Sequence, residues 1–297
     1  MTPIVSFVVP CYNLAHLLRE CVDSILSQTY ADFEVLIMDD CSPDNTPEVA
    51  QSFRDPRVKY IRNDSNLGAL RNYNKGIRLA RGKYVWLISA DDYLRRPYIL
   101  QRYVTLLDKN PQVAYTFCPA VGVTNGVETG ILDWSAYGSR DLIINGHALL
   151  KTLLMGNLIV AASGMARREC YERISFFPLD MAWDDVPLDM LWGGDWYLWC
   201  LFALYFDVGY FAEPMVCYRK HNLSTTSNLM QGDVENLFAS DVAVPWIIRQ
   251  KAKEAGFREV SKYCLSAVAN QYAKSIGSTR YNAMWRTTLE QFDKSLC

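Results

Sequence analysis

Two apolar runs in this chain end on adjacent carboxylates: "VLIMDDCS" on Asp39 and Asp40, and "LISADDYL" on Asp91 and Asp92. A single acid after a strand is ordinarily a solvated loop residue or a helix cap. Two pairs at two strand ends ask for more, because like charges held together raise each other's pKa unless a cation or hydrogen-bond donors neutralise them. Oxygen ligands with few histidines nearby favour Mg²⁺ or Mn²⁺ over zinc. A fifth acid, Asp195, follows Gly193-Gly194 and opens a very apolar segment. There it is either a helix N-cap or, with the glycines letting an acceptor approach, a general base. Trp183, Trp192, Trp196 and Trp199 lie near it in sequence, as platforms for a sugar or as ordinary core. "YRKH", Tyr218 to His221, is a solvated basic loop or a clamp for phosphates with a spare metal ligand. In "RNDSNLGALRN", Asn66 and Gly68 open a helix whose N-terminus would bring Arg71 to an anion.

These residues need a scaffold, and the pattern around them supplies one. Ile4 to Val9, Phe33 to Met38, Val58 to Ile61, Lys83 to Ser89 and Val113 to Val123 read as strands. Between them Leu18, Cys21, Val22, Ile25 and Leu26 share one helical face. Thr46-Pro47 reads as a cap and first helical residue. Leu70, Tyr73, Ile77 and Ala80 mark a third helix closed by Gly82 as a left-handed cap, and Pro97 starts a fourth. Strands alternating with helices predict an α/β protein with a Rossmann-like, mostly parallel sheet flanked by helices. Both acid pairs then fall at the carboxyl ends of strands, where such sheets bind ligands. Further on, "TNGVETG" reads as a hairpin, "HALLKTLLM" and "GGDWYLWCLFALYF" as helices, and "VGYFAEPMVCYRKH" as a strand. Helices are expected over Val234 to Ala255, Glu259 to Ile276 and Tyr281 to Ser295.

Composition narrows the class. The chain has 297 residues, 50% hydrophobic, with a formal net charge of -2, which describes a globular protein and gives no sign of nucleic-acid binding. Nine cysteines without a C-x-x-C pair fit reduced thiols and a cytoplasmic setting. The N-terminus lacks a signal-peptide pattern, and no apolar run is long enough to span a bilayer. Trp246 to Arg286 is rich in lysine and arginine; this stretch is either a packed or dimer-forming face, or a peripheral contact with an anionic inner leaflet.

In order, "VSFVVPCYN", "SILSQTYADFEVLIMDDCSPDNT", "NLGALRNYNKG", "GKYVWLISADDYL", "GGDWYLW" and "EPMVCYRKHNLSTTS" resemble the landmarks of family 2 inverting glycosyltransferases with the GT-A fold. The likeness covers about Ile4 to Ser227. It implies a GT-A domain over 1–227, with a nucleotide-sugar half at 1–122 and an acceptor-side half at 123–227, followed by a helical region at 228–297. It also implies that Pro10, Tyr12 and Asn13 border the nucleotide pocket and that Asp40 holds the base. Asp91 and Asp92 would stand at the metal motif, Asp92 toward Mn²⁺ or Mg²⁺ and Asp91 toward ribose or sugar. Asp195 would be the catalytic base, and Arg219 and His221 would belong to the loop over the diphosphate. The donor would be a UDP-, GDP- or dTDP-sugar, and the acceptor a glycan or lipid-linked glycan in bacterial polysaccharide or glycolipid synthesis.

Three positions depart from that family pattern. Cys41 replaces a usual glycine, so the turn after Asp40 is expected to avoid a left-handed backbone. Ser89 replaces an acid, and Tyr73-Asn74 interrupts an "ARN-x-G" pattern near Arg71 and Asn72. Two other functions are weighed. A sugar nucleotidyltransferase would carry a glycine-rich basic loop after strand one, whereas "PCYNLAHLL" has neither glycine nor a base before Arg19. A non-catalytic nucleotide-sugar-binding partner would not need Asp40, Asp92 and Asp195 together.

Overall fold

The computed structural model describes residues 2–179, 181–183, 186–188, 190, 193–222, 224 and 234–275. Strand β1 (Val5–Cys11) and strand β2 (Phe33–Asp39) are buried along their whole length, as near-continuous apolar runs must be when both sheet faces are covered. Helix α1 (Ala15–Leu26) connects them, and α2 (Thr46–Gln51) leads to β3 (Val58–Arg62). Helix α3 (Ala69–Leu79) then crosses to β4 (Tyr84–Leu87). β3, β2, β1 and β4 pair in parallel in that order, with Cys11 opposite Asp39 and Val8 opposite Leu87.

Alternation along β1 divides the core. Val5, Phe7 and Val9 face α1 and α4 (Ile99–Lys109), while Val8 faces α3. The interruption at Ser6 has a cause: its hydroxyl donates to Glu34 at 2.8 Å and accepts from the backbone N–H of Gly82 at 2.8 Å.

Beyond β4 the sheet becomes mixed. A short pair, β5 (Tyr93–Leu94), precedes α4, and β6 (Val113–Phe117) and β7 (Ala120–Thr124) follow. The expected single strand from Val113 to Val123 is two strands in two sheets, because Cys118-Pro119 breaks the run and proline cannot donate to a ladder. The hairpin is as expected: β7 and β8 (Val127–Ile131) are antiparallel around Asn125 and Gly126, both at positive φ. β9 (Leu142–Ile144), α5 (Gly146–Leu153), β10 (Met165–Arg167), α6 (Arg168–Arg173) and the hairpin of β11 (Met181–Trp183) and β12 (Val186–Leu188) come next. They lead to α7 (Gly194–Tyr205).

The "VGYFAEPMVCYRKH" strand also divides, into β13 (Asp207–Tyr210) and β14 (Val216–Lys220). The large sheet therefore runs β3-β2-β1-β4-β10-β6-β13-β9, and a second sheet runs β5-β14-β7-β8. Helices α8 (Val234–Glu254) and α9 (Arg258–Ser275) bury Val244, Ile248, Ala252 and Cys264 in the same core cluster as α5 and α7. The expected helix at Tyr281 to Ser295 lies outside the described residues.

Three local expectations are corrected. Gly82 is not a left-handed cap; it is glycine because a Cβ there would come within 2.6 Å of the Ser6 nitrogen. Thr46 is not the cap of α2, since Asp44 accepts from the Thr46 N–H at 3.1 Å and also from the Ala15 N–H opening α1 at 3.0 Å. Cys41 does adopt a left-handed conformation, with φ 62°, held where Asp39 accepts from the Ser42 N–H at 2.8 Å and Arg62 donates to the Ser42 carbonyl at 3.0 Å. Among the described residues every cysteine is unpaired, and no helix is long and apolar enough to cross a membrane.

Candidate active site

The carboxyl ends of β1, β2 and β4 open onto a cleft of about 270 Å³. Pro10 and Tyr12 come from the end of β1, Asp40 from the end of β2, Gly68 and Tyr73 from the start of α3, and Ser89 and Asp91 from the loop after β4. A larger cleft of about 400 Å³ lies beside the far end of α7, lined by His147 and Asp207. Both groups are engaged there: Asp207 accepts from the Gly146 N–H at 3.1 Å, and His147 Nε2 bonds the Leu204 carbonyl at 3.0 Å. The smaller cleft is where the acids gather.

The two acids of the first pair divide their work. Asp39 is wholly buried and accepts from Tyr60 and Arg62, each at 2.6 Å, so it fastens β2 to β3. Asp40 borders the cleft. Its carboxylate accepts from Asn63 Nδ2 at 2.7 Å and from the N–H groups of Leu67 and Gly68 at 2.8 and 3.0 Å. These bonds shape the loop that starts α3. Asn63 also donates to Asn72 at 3.0 Å and accepts from Lys75 at 2.6 Å.

The second pair divides as well. β14 pairs with β5, with Cys217 opposite Tyr93, and this register carries the "YRKH" segment past both acids. Asp92 is buried and accepts from the Arg219 N–H at 2.9 Å; burial and the neighbouring Asp91 charge push its carboxyl well above the usual range. Asp91 lines the cleft and meets His221 Nε2 at 3.0 Å. Burial raises the Asp91 carboxyl, but its bonds with His221 and Ser89 outweigh that and hold it below its ordinary value.

Arg219 is buried and outside the cleft lining. It donates to the Asp91 carbonyl at 2.8 Å, pairs with Glu20 and lies over the Tyr93 ring. Asn13, at φ 57°, is also outside the lining and donates its N–H to Ser42 at 3.1 Å. Arg71 is exposed in the first turn of α3, outside the lining. Among the described residues, no group of three or more His, Cys, Asp or Glu side chains forms a metal cage.

Asp195 stands in the first turn of α7. One oxygen accepts from the Trp196 N–H at 2.7 Å and the other from Asn157 Nδ2 at 3.2 Å. Burial pushes its carboxyl up to about 6 despite these two donors. The start of α7 approaches α3 closely, since a Cβ on Gly194 would lie 3.3 Å from Leu70. Tyr73 joins the two regions: burial raises its phenol, and so do the charges of Asp91, Asp195, Asp92 and Asp40, in decreasing order. One phenol thus senses the cleft acids and the α7 acid together.

Trp196 and Trp199 are core. Trp196 is buried with its indole N–H on the Leu153 carbonyl at 2.7 Å, and Trp199 packs on Gly164 and Tyr115. Trp192 and the side chain of Trp183 lie outside the described residues. Asn63 and Asn157 escaped sequence reasoning as site residues, while Asn72, raised there only through the interrupted "ARN-x-G" pattern, lines the cleft. For Asn63 the available signal was its place just past a predicted strand; for Asn157, in "MGNLIV", there was none.

A mostly parallel sheet with acids collected over a cleft at its carboxyl rim defines an α/β protein of the kind that holds ligands at strand ends. The chain belongs to glycosyl transferase family 2, whose sequence profile matches residues 6–168. Glycosyltransferase GlyG of Streptococcus pneumoniae is 36% identical over 115 residues, 38% of this chain and 38% of GlyG. An uncharacterized protein of Mycobacterium tuberculosis is 30% identical over 224 residues, 73% of this chain and 58% of that protein. The chain thus matches less than two thirds of the length of either relative. Among solved structures, S. aureus TarS 1–349 in complex with UDP-GlcNAc has a TM-score of 0.67 at 18% identity, covering 94% of this chain and 74% of that one. The mannosyltransferase PcManGT of Pyrobaculum calidifontis, with GDP-Man and Mn²⁺, has a TM-score of 0.55 at 17% identity, covering 98% and 81%. At such identities the likeness speaks for the fold, which is of the GT-A type.

Proposed function

We propose that this protein transfers a sugar from a nucleoside diphosphate sugar to an acceptor hydroxyl by a single displacement that inverts the anomeric carbon. The observation that carries this reading is the close approach of α7, at the glycine before Asp195, to the first turn of α3, whose Tyr73 lines the cleft with Asp40 and Asp91. A general base works best with a pKa near the operating pH, and burial has brought Asp195 there. In this mechanism Pro10 and Tyr12 flank the nucleoside, and Asp40 holds the loop at Gly68 in the shape that receives it. Asp195 takes the proton of the attacking hydroxyl while the sugar-to-phosphate bond breaks.

The departing diphosphate gains charge, and the cleft residues fit a divalent cation that would neutralise it. Asp91, in the cleft lining, and His221, 3.0 Å from it and outside that lining, supply one carboxylate and one imidazole. Two protein ligands are what Mg²⁺ and Mn²⁺ usually take when substrate phosphates and water complete the shell, and the imidazole favours Mn²⁺. Geometry favours Asp91 over Asp92 for this role, because Asp92 is spent on the β14 backbone. The ligands seen in TarS and PcManGT support UDP- or GDP-sugars as donors. A lipid-linked or glycan acceptor, with contact at a membrane surface, remains part of the proposal through the basic stretch near α9.

The test is stereochemical. The purified chain with Mn²⁺ and an α-linked donor, UDP-GlcNAc or GDP-mannose, should slowly transfer the sugar to water. Proton NMR should show the β anomer first, before mutarotation. First appearance of the α anomer would refute a single displacement.

A further inference from the structure

Asp195 accepts from one side chain among the described residues, Asn157, and from backbone N–H groups at the start of α7, and the arrangement is specific. The Asn157 amide cannot be flipped at will: its Oδ1 accepts from the Ile159 N–H at 3.0 Å, which leaves Nδ2 to donate to Asp195 at 3.2 Å. The other carboxylate oxygen takes the Trp196 N–H at 2.7 Å. A donor on each oxygen fixes the plane of the carboxylate. Among the described residues, the titratable groups that sense its charge are the Tyr73 phenol from α3 and the Cys200 thiol further along α7. Burial holds both above their ordinary ranges, so both are neutral where Asp195 titrates. No cation pairs with Asp195 among the described residues; its charge is supported by hydrogen bonds alone.

We propose that Asn157 is a positioning residue: fixed by Ile159, it clamps one oxygen of Asp195 and so holds the carboxylate in the orientation in which it takes the acceptor's proton. This rests on Asp195 being the base. Asn157 is outside the cleft lining, so its route to the reaction is through Asp195. It also acts in one direction, because a pure donor favours the charged carboxylate and opposes burial. Without it the carboxyl keeps its proton to higher pH.

Two variants separate this from a merely structural role. Asn157→Ala removes the donor. Asn157→Asp keeps the shape and the acceptor for Ile159 but sets an oxygen against the Asp195 oxygen, so the two acids share a proton. The reporter is the full chain with ¹³C-labelled aspartate, the Asp195 signal being assigned by its loss in Asp195→Asn. Its midpoint should rise by about one pH unit in Asn157→Ala and further in Asn157→Asp. In parallel, hydrolysis of the donor accepted by the wild type, with Mn²⁺, should show its acid limb moving up by the same amount. That is about a fivefold lower rate at pH 6, with donor affinity unchanged. Unchanged midpoints in both folded variants would overturn the role of Asn157 while leaving the base in place. If Asp195→Asn hydrolyses donor at the wild-type rate, the base assignment fails instead.

Discussion

Asp91 and Asp92 are adjacent in sequence yet meet different partners: Asp91, in the cleft lining, meets His221, and Asp92 the backbone of β14. That the pair matters was legible, because two acids ending an apolar run are costly unless something uses them. Which acid does what was not. The division depends on β14, more than a hundred residues later, whose register against β5 decides what stands beside each carboxylate. It follows that Asp91→Asn should weaken donor binding in Mn²⁺ at least about tenfold by calorimetry. Asp92→Asn keeps an acceptor for the Arg219 N–H and should bind within about twofold of wild type. The reverse ranking would return the metal to Asp92. Asp40 teaches the same lesson: its place at the rim could be read from the sequence, but its three bonds to Asn63, Leu67 and Gly68 could not, since they join residues from separate turns.

Among elements, the strands and helices of the first hundred residues were readable because apolar runs and helical periodicity alternate cleanly there. Errors fell where one residue changes the path. Pro119 splits a predicted strand between two sheets, and Cys41 takes a left-handed turn held by the Ser42 N–H on Asp39 and by bonds from the distant Arg62 and Asn13 to Ser42. Gly82 was recognised as necessary for the wrong reason. It lies where the chain passes against β1, and an added Cβ would meet backbone atoms of Ser6 and Val5 at 2.6 and 2.8 Å. Backbone cannot step aside as a flexible side chain can. Gly82→Ala should therefore cost about 1–3 kcal/mol in urea unfolding. A change below about 0.5 kcal/mol would mean that the strand shifts freely.

For the whole molecule, stability against acid should depend on Glu34, buried at the first two strands with Ser6, Lys59 and Arg81 around it. Burial alone would raise its carboxyl, but the bonds from Arg81, Lys59 and Ser6 outweigh it and bring it down to about 2. A depressed acid stabilises the native state above its unfolded pKa and loses that contribution as pH falls through the folded value. Lys59 and Arg81 are largely exposed, which discounts the gain to about 2 kcal/mol. Glu34→Gln should lose that much at pH 7, and its gap from wild type should close between pH 5 and 2. A gap independent of pH would show packing rather than charge. At this scale the α/β class was legible. The mixed order beyond β4 was not, since β10 enters the sheet antiparallel between β4 and β6 from far along the chain.

The account turns on Asp195 accepting the proton of the attacking hydroxyl, and its most direct test is nucleoside diphosphate release by Asp195→Asn at saturating donor. The amide keeps the shape of the side chain and cannot take a proton, so the rate should fall by about 10²- to 10⁴-fold while donor affinity stays at the wild-type value. A rate within a few-fold of wild type would contradict the account, whatever the donor proves to be.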